Sequence, residues 1–218
     1  MLSFYYYFIK LLLRFLPSIH LMTINEFVKI NMMKKRFFAF VFLLIACLSI
    51  NGNVFSQQKD APLRVVFIRH GEKPKKGSNL TCDGFNRSLQ LPSVISKKFG
   101  VPTNVYVSAL GLGEQTKHCR MFETAIPLAV KYNLTLNTKY EEKDASALAA
   151  DILKQSGTVL VVWEHKAIAP IVQALGVKKD LTWDDDDFDS IWIVTFDKGT
   201  AVYSTDKEGI VTSSTCPF

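Results

Sequence analysis

The stretch "RVVFIRHGEKPKKG" (Arg64–Gly77) joins an apolar, β-branched run to an arginine and a histidine at the point where the run stops. Continuous rather than alternating apolarity is typical of a strand buried on both faces, as in a largely parallel sheet. We expect Arg69 and His70 to be the first exposed positions after this strand. A polar strand end and a reactive site both fit the stretch alone, so the rest of the chain has to decide between them.

Further apolar runs predict more strands of the same kind: "NVYVSA" (104–109), "TVLVVWE" (158–164) and "SIWIVTF" (190–196). "TAVYST" (200–205) follows the turn signal "DKG" and predicts an antiparallel edge strand. Helical patterns lie between the strands, in segments 83–100, 120–133, 144–157 and 166–176. This alternation predicts an α/β fold, a three-layer α/β/α sandwich with a mostly parallel sheet and an antiparallel edge strand.

The first 56 residues differ from the rest. The segment "MKKRFFAFVFLLIACLSI" begins at Met33 with three cations and continues as an apolar stretch, which predicts a signal peptide over about residues 33–56 and an over-extended start over residues 1–31. The apolar run has 14 residues, fewer than the roughly 20 of a spanning helix, so we predict no stable membrane span in the mature form. Export to the periplasm or outside the cell is the expected localisation. A lipoprotein anchored through Cys47, which ends the box-like "LLIAC", is the alternative.

Residues 57–218 are therefore predicted to form one domain. Without residues 1–56, the formal charge falls from +6 to +1, which gives no support for nucleic-acid binding. Three cysteines remain, and an odd count leaves at least one without an intrachain partner. Cys82 and Cys216 are candidates for a disulfide in an oxidising compartment.

The histidines of this domain are His70, His118 and His165, and they follow the first three predicted strands in turn. In open α/β sheets, ligands bind at the carboxyl ends of the strands. Arg69 and Arg120 lie beside this set. Guanidinium groups hold phosphate oxygens in a fixed orientation, and a neutral imidazole is a competent nucleophile, which nearby cations help to keep neutral. The set predicts a site that handles a phosphoryl group.

Four segments in the same order resemble the histidine phosphatase superfamily, the phosphoglycerate mutase-like proteins. "RHGEK" (69–73) resembles the family signature after its first strand, and "LTCDGFNRSLQL" (80–91) resembles the "LT-x-x-G-x-x-Q-A" helix start. "RMFETAIPLA" (120–129) resembles the "R-A-x-x-T-A" helix, and "VLVVWEHKAI" (159–168) resembles the strand before the second catalytic histidine. The resemblance covers most of residues 63–197 and implies a phosphoglycerate mutase-like fold.

The resemblance implies that His70 attacks phosphorus while Arg69, Arg120 and His165 hold the phosphoryl oxygens, with no metal or organic cofactor. Water then hydrolyses the phosphohistidine. We expect an exported phosphatase that hydrolyses small phosphomonoesters. A non-catalytic phospho-ligand-binding protein is an alternative, and a phosphoglycerate mutase is a weaker one, because an exported chain is removed from glycolytic substrate.

The chain departs from the family pattern by an insertion, "GLGEQTKHC", between Ser108 and Arg120. This loop carries Lys117 and His118, and we expect His118 to bind substrate. A solvated surface loop is the alternative reading. A second biased segment is the run Asp184–Asp187, for which a solvated loop is favoured over a Ca²⁺ site because no spaced ligand pattern accompanies it.

The sequence alone does not identify the side chain that protonates the leaving oxygen. The resemblance makes Glu141, Glu142 and Asp144 candidates. We favour Glu142, and we expect Asp144 to cap a helix. Glu164 is next to His165, but alternation along a strand aims it to the other face.

Overall fold

The computed structural model describes residues 32–34, 37, 61–112 and 118–218. The chain divides into two compact units, Met1–Phe55 and Ser56–Phe218. In the first unit, the described residues 32–34 and 37 are helical and exposed. The rest of the predicted signal peptide, including Cys47, lies outside the described residues, so that prediction stays untested.

The second unit is built on one six-stranded sheet with the order β3-β2-β4-β1-β5-β6. The first four strands pair in parallel, and antiparallel pairing joins β5 to β1 and β6 to β5. The strands are β1 (Arg64–Arg69), β2 (Asn104–Val107), β3 (Leu136–Asn137), β4 (Thr158–Trp163), β5 (Ser190–Asp197) and β6 (Thr200–Lys207).

Four helices cover the two faces of the sheet: α1 (Cys82–Phe99), α2 (Cys119–Tyr132), α3 (Ala145–Ile152) and α4 (His165–Ala174). Apolar side chains of α1 and α2 pack with alternate strand residues such as Val66 and Val162 in one core cluster. Those of α3 and α4 pack with the other strand face, which carries Phe67 and Trp163, in a second cluster. The predicted three-layer α/β/α sandwich is confirmed.

Two features of the sheet were not expected from the sequence. The short strand β3 was not predicted, because two residues carry no periodic signal. The continuous apolar run of β5 suggested a parallel strand, yet β5 runs antiparallel to β1. Its Ile191 lies in one core cluster and its Trp192 in the other, so packed side chains cover both faces of β5 whichever way the strand runs. The edge strand β6 is antiparallel to its neighbour, as predicted.

The central strands β1 and β4 end side by side. Their register pairs Arg69 with Trp163, and the N–H of His70 donates to the carbonyl of Trp163 at 3.1 Å. The residue after β1 and the residues after β4 therefore emerge at the same edge of the sheet. Among the described residues, no helix is long and apolar enough to cross a membrane.

A disulfide joins Cys82, the first residue of α1, to Cys216 in the C-terminal tail, with a Cα–Cα distance of 4.7 Å. The side-chain amide of Asn86 donates to the carbonyls of Ser213 and Thr215 at 2.7 and 2.8 Å, and the phenyl rings of Phe85 and Phe218 meet edge to face. The C-terminal tail therefore packs along α1. The disulfide between Cys82 and Cys216, which the sequence left open, is present in the structure.

Candidate active site

Arg69 and His70 stand at the carboxyl end of β1 and are both buried, with 2% and 1% of their surface exposed. The expectation that they are exposed positions is wrong. The strand ends there, but other parts of the chain close over it: Phe188 stacks its ring 3.9 Å from the Arg69 Cζ, and the ring of Phe188 lies 6.2 Å from that of His70. Buried polar groups of this kind need specific partners.

The imidazole of His70 is oriented by a hydrogen bond to the next residue, Gly71. Its Nδ1 lies 2.7 Å from the carbonyl oxygen of Gly71, which accepts, so Nδ1 carries the proton. The N–H of Gly71 in turn donates to the hydroxyl of Thr124 at 2.9 Å, and that hydroxyl donates to the carbonyl of Arg120 at 2.7 Å. The ring is thereby oriented, and its Nε2 keeps a free lone pair.

The pKa of His70 falls from 6.5 to about 4. Burial is the largest cause, since it penalises the charged ring. The hydrogen bond to Gly71 opposes the shift, and the nearby charges of Arg69, Arg120 and His165 add to it. The ring is therefore neutral at physiological pH, which is the state a nucleophile needs.

Arg69 is held by the loop Trp183–Asp189, hereafter the acidic loop. Its Nη1 donates to the backbone carbonyls of Asp185 at 2.6 Å and Asp187 at 3.3 Å, with Asp184 at 3.5 Å. Its Nε is buried and has no hydrogen-bond partner among the described residues. A buried guanidinium N–H without an acceptor is ready for an anionic ligand. Burial lowers the pKa of Arg69, while the surrounding carboxylates oppose that shift.

Arg120 comes from the first turn of α2 and lines the same cavity as His70. Its Nη2 donates to the carbonyl of Gly77 at 2.5 Å, and its Nε is buried without a partner among the described residues. His118, just before α2, has a left-handed backbone with φ of 61°. This turn at His118 leads directly into α2, which begins at Cys119 and carries Arg120 in its first turn.

His165 is the first residue of α4, and its side chain is 6% exposed. Its Nε2 lies 2.6 Å from Oδ1 of Asp185 in the acidic loop. Its Nδ1 is buried and lies 2.6 Å from Oε1 of Glu164, but without the geometry of a hydrogen bond, and no other described residue hydrogen-bonds to it. The structure thus brings Arg69, His70, Arg120 and His165 to one edge of the sheet.

Glu164 lines the cavity that His70 and Arg120 line, so the expectation that it points to the other face is wrong. Strand alternation does not apply, because β4 ends at Trp163 and Glu164 is the N-cap of α4. Its Oε2 accepts from the backbone N–H groups of Lys166 at 2.7 Å and Ala167 at 3.2 Å. Its carboxylate therefore serves as a helix cap.

The cavity at His70 has a volume of about 180 Å³ and is also lined by Ser78, His118, Met121 and Glu142. A second cavity of about 340 Å³ shares His118 and Glu142 with it and extends to Glu141 and Lys143. The two shared residues therefore stand between a space at the nucleophile and a larger space beside it. Lys117, the residue before His118 in the inserted loop, lies outside the described residues.

Of the three acid candidates, Glu142 is the one that lines the cavity at His70, and its Oε1 lies 3.0 Å from Nδ1 of His118. Glu141 lies in the second cavity and pairs with Lys143. Asp144 occupies the N-cap position of α3, as expected, but makes no side-chain cap there. Its carboxylate accepts from the N–H of Glu141 instead.

The sequence did not point to three contacts around the site. Thr124 fixes Gly71, as described above, and its place in the "R-A-x-x-T-A" resemblance was the available signal. Arg87 forms an ion pair with Glu72 at 2.6 Å and donates a hydrogen bond to Oε2 of Glu208 at 2.7 Å. Burial raises the pKa of Glu208 to about 8, against the opposing charge of Arg87. This pairing spans 121 residues of sequence, so no local pattern reveals it.

Within the described residues, no group of three or more histidine, cysteine or acidic side chains is placed to hold a metal ion. The acidic loop does not gather its carboxylates around a point. Asp184 accepts from the N–H of Asp186, and Asp187 accepts from the N–H groups of Asp189 and Ser190. These carboxylates therefore accept hydrogen bonds from backbone N–H groups of their own loop. The absence of a cofactor stays a prediction.

Neither a family model nor a curated protein matches the chain. Among solved structures, it is similar to the protein histidine phosphatase SixA complexed with tungstate, at 18% identity and a TM-score of 0.48, over 66% of this chain and 97% of that one. A mycobacterial glucosyl-3-phosphoglycerate phosphatase with inorganic phosphate matches at 14% identity and a TM-score of 0.47, over 66% and 95%. Phosphoglycerate mutase from Bacillus anthracis str. Sterne matches at 14% and 0.43, over 68% and 93%.

Proposed function

We propose that this protein is an exported phosphatase that hydrolyses phosphomonoesters through a phosphohistidine on Nε2 of His70. The observation that carries the proposal is the state of this ring. Its Nδ1–H is committed to the Gly71 carbonyl at 2.7 Å, and its pKa of about 4 keeps the ring neutral. An oriented, unprotonated ring nitrogen beside two arginines is suited to attack phosphorus.

In the first half of the reaction, Nε2 of His70 forms a bond to phosphorus while the bond from phosphorus to the ester oxygen breaks. The protonated carboxyl of Glu142 gives its proton to that oxygen, and the alcohol leaves. Glu142 is assigned this role because it lines the cavity at His70 and is not committed to a helix N-terminus, as Glu164 is.

In the second half, a water oxygen attacks phosphorus, and the bond from phosphorus to Nε2 breaks. Glu142 takes the proton from this water, so each cycle restores both groups and releases inorganic phosphate. The guanidinium N–H groups of Arg69 and Arg120 that lack partners, with Nδ1 of His165, are assigned to the phosphoryl oxygens. They stabilise charge that is spread over these oxygens during transfer.

A small phosphorylated substrate fits the dimensions of the site. The cavity of about 180 Å³ at His70 is sized for a phosphoryl group and a few further atoms, and the adjoining 340 Å³ offers space for a compact leaving group. His118, between the two spaces, is assigned to substrate binding. Direct binding of nucleic acid is not part of the proposal, because the domain carries almost no net charge.

Export is supported by two independent features. Residues 33–56 have the charge and apolar pattern of a signal peptide, and the Cys82–Cys216 disulfide is of the kind that persists in oxidising compartments. Cell fractionation with N-terminal sequencing tests it. The expected mature protein begins at Gln57 in the exported fraction. Recovery from the cytosol with residues before 57 attached would contradict export, and a lipid on Cys47 would favour the anchored alternative.

Phosphatase activity is tested with an aryl phosphate on the wild type, His70→Ala and His70→Asn. An aryl leaving group needs little protonation, so turnover depends mainly on His70. The asparagine variant keeps an N–H donor for the Gly71 carbonyl but has no second ring nitrogen, so it separates folding from chemistry. We expect both variants to lose activity by at least about 1,000-fold.

A trapping experiment identifies the intermediate. Wild-type protein quenched during turnover should carry phosphate in the acid-labile, alkali-stable form typical of phosphohistidine, and His70→Asn should carry none. Activity of His70→Asn equal to the wild type would refute the proposed nucleophile. Phosphate binding by the wild type without any turnover would favour the phospho-ligand-binding alternative.

A further inference from the structure

The acidic loop contacts two groups of the candidate site that come from different strands. Its backbone carbonyls hold the guanidinium of Arg69 after β1, and a side chain of the same loop, Asp185, contacts His165 after β4. The sequence offered only a solvated loop or a calcium site for this run of aspartates. The contacts indicate a different use for it.

The contact between Asp185 and His165 defines the state of the ring. Oδ1 of Asp185 lies 2.6 Å from Nε2 of His165, and a carboxylate accepts, so Nε2 carries a proton. The other ring nitrogen, Nδ1, lies on the side of Glu164, which lines the cavity at His70. Nδ1 is thus the nitrogen on the cavity side of the ring. It is buried and receives no hydrogen bond from the described residues, although Oε1 of Glu164 lies 2.6 Å away.

Two carboxylates flank the ring of His165. Asp185 is on the Nε2 side and Glu164 is on the Nδ1 side, each at 2.6 Å. The hydrogen bond from His165 is the main cause that lowers the pKa of Asp185, and Lys166, 3.4 Å from the same carboxylate oxygen, adds to it. Asp185 therefore stays ionised, and its carboxylate accepts from Nε2 of His165.

We infer that Asp185 is a positioning residue, which holds the His165 ring through Nε2 so that Nδ1 faces the phosphoryl oxygens. The inference rests on the proposed function for the identity of the oxyanion. The logic is that of a carboxylate that fixes the tautomer and the orientation of a histidine. Asp185 itself touches no substrate in this role.

The neighbouring aspartates have other tasks, which makes the assignment specific. Asp184 accepts from the backbone N–H of Asp186, and Asp187 caps the turn that enters β5. The carboxylate of Asp186 is exposed and accepts no hydrogen bond from the described residues. Asp186→Asn therefore removes one charge from the same loop without touching His165, and it is the matched control for Asp185→Asn.

Oxyanion binding is the first readout. Titration calorimetry with orthovanadate and with inorganic phosphate compares the wild type, Asp185→Asn, Asp185→Ala and Asp186→Asn. We expect Asp185→Ala to weaken binding about tenfold and Asp185→Asn about threefold, since the amide oxygen still accepts from Nε2 while the charge is lost. Asp186→Asn should bind as the wild type does. Equal binding by Asp185→Ala and Asp186→Asn would overturn the inference.

The state of the ring is the second readout, and it does not depend on turnover. Nitrogen-15 NMR of labelled histidine, assigned with His165→Gln, should show a protonated Nε2 in the wild type and in Asp186→Asn. In Asp185→Ala the Nε2 proton should exchange faster and lose its downfield shift. A wild-type Nε2 without a proton would overturn the inference even if the phosphatase assay succeeds.

The kinetics of an aryl phosphate, measured beside the free energy of unfolding, separate this role from a general effect on stability. Asp185→Ala should lower kcat/KM about tenfold at an unchanged free energy of unfolding, and Asp186→Asn should change neither quantity. An unchanged kcat/KM in Asp185→Ala would contradict the inference. Should the wild type bind vanadate in an Asp185-dependent way but hydrolyse no phosphate ester, the proposed function fails while the role of Asp185 in oxyanion binding stands.

Discussion

The backbones of Gly71 and Gly84 are in direct contact. A Cβ built on Gly71 would lie 2.8 Å from the carbonyl oxygen of Gly84, and one built on Gly84 would lie 2.7 Å from the nitrogen of Glu72. The first turn of α1 therefore packs directly against Gly71, whose carbonyl orients His70. Side chains are excluded from this contact on both sides, so both positions need glycine for close approach rather than for an unusual backbone angle.

Gly84→Ala should disturb both stability and activity, because the new methyl group overlaps the backbone of Glu72. We expect a loss of about 2 kcal/mol in the free energy of unfolding, measured in urea, and at least a tenfold loss of kcat. Ser93→Ala, at an exposed position of the same helix, is the control and should change neither. A Gly84→Ala protein with wild-type kcat would show that the contact does not position His70.

The acid side of the pH profile should report the ring of His70. Since its folded pKa is about 4, below the ordinary 6.5, the ring is neutral above about pH 4 and protonates below it. We expect kcat/KM, corrected for ionisation of the substrate, to fall with a midpoint near pH 4. In Arg120→Ala the midpoint should rise, because one of the cations that disfavour the protonated ring is removed. A wild-type midpoint near 6.5 would contradict the burial of a neutral His70.

The role of Glu142 can be separated from that of its neighbour by the leaving group. Glu142→Gln should lower kcat/KM by about 100-fold for an alkyl phosphate but by less than about fivefold for an aryl phosphate, because kcat/KM covers the steps up to loss of the leaving group and an aryl oxide leaves without protonation. Glu141→Gln is the matched control, and it should leave both rates near those of the wild type. Equal losses on both substrates in Glu142→Gln would assign the acid elsewhere, with Glu164 as the next carboxylate in the cavity.

The free energy of unfolding should fall as the pH rises, because Glu208 loses its proton. Its folded pKa of about 8 lies above the ordinary value of 4.5, so the native state holds this proton while the unfolded state has lost it. The stabilisation is complete below about pH 4.5 and is lost as the pH rises to about 8. In Glu208→Gln this dependence should disappear, and its Tm should exceed that of the wild type by about 5 °C at pH 8. Parallel Tm curves for the two proteins from about pH 5 to about pH 8 would refute the assignment.

The Cys82–Cys216 disulfide should contribute about 2–4 kcal/mol to the free energy of unfolding, because it closes a long loop in the unfolded chain. The bond spans 134 residues of sequence. We expect Cys82→Ser/Cys216→Ser to lose this amount in urea denaturation and to resemble the reduced wild type. Reducing agent should leave the double variant unchanged. A wild type that is equally stable with and without reductant would contradict the contribution.

The sequence predicted the sandwich because its strands and helices carry strong local signals. The strands 64–69 and 158–163 are buried on both faces, and that is why their apolar runs are unbroken. The two-residue β3 and the direction of β5 could not be predicted, since pairing partners are set by packing across the sheet. The resemblance of "RHGEK" pointed to His70 as the proposed nucleophile and to Arg69 as a proposed phosphate-binding residue.

The parts of the site that the sequence missed depend on contacts between distant segments. Asp185 meets His165 across 20 residues, and Glu208 meets Arg87 across 121. No periodicity or motif records such a contact. Glu164 was misplaced for a local reason: strand alternation was extended one residue past the end of β4, where the backbone already turns into a helix cap.

The adjacency of β1 and β4 has a practical consequence for protein engineering. His70 and His165 follow two neighbouring strands of one ladder, so their separation is inherited from a rigid scaffold. His118 and residues 141–143, which line the adjoining cavity of about 340 Å³, lie in connecting segments instead. Transplanting those segments from other proteins should retarget the proposed phosphatase to new esters while the two histidines keep their spacing.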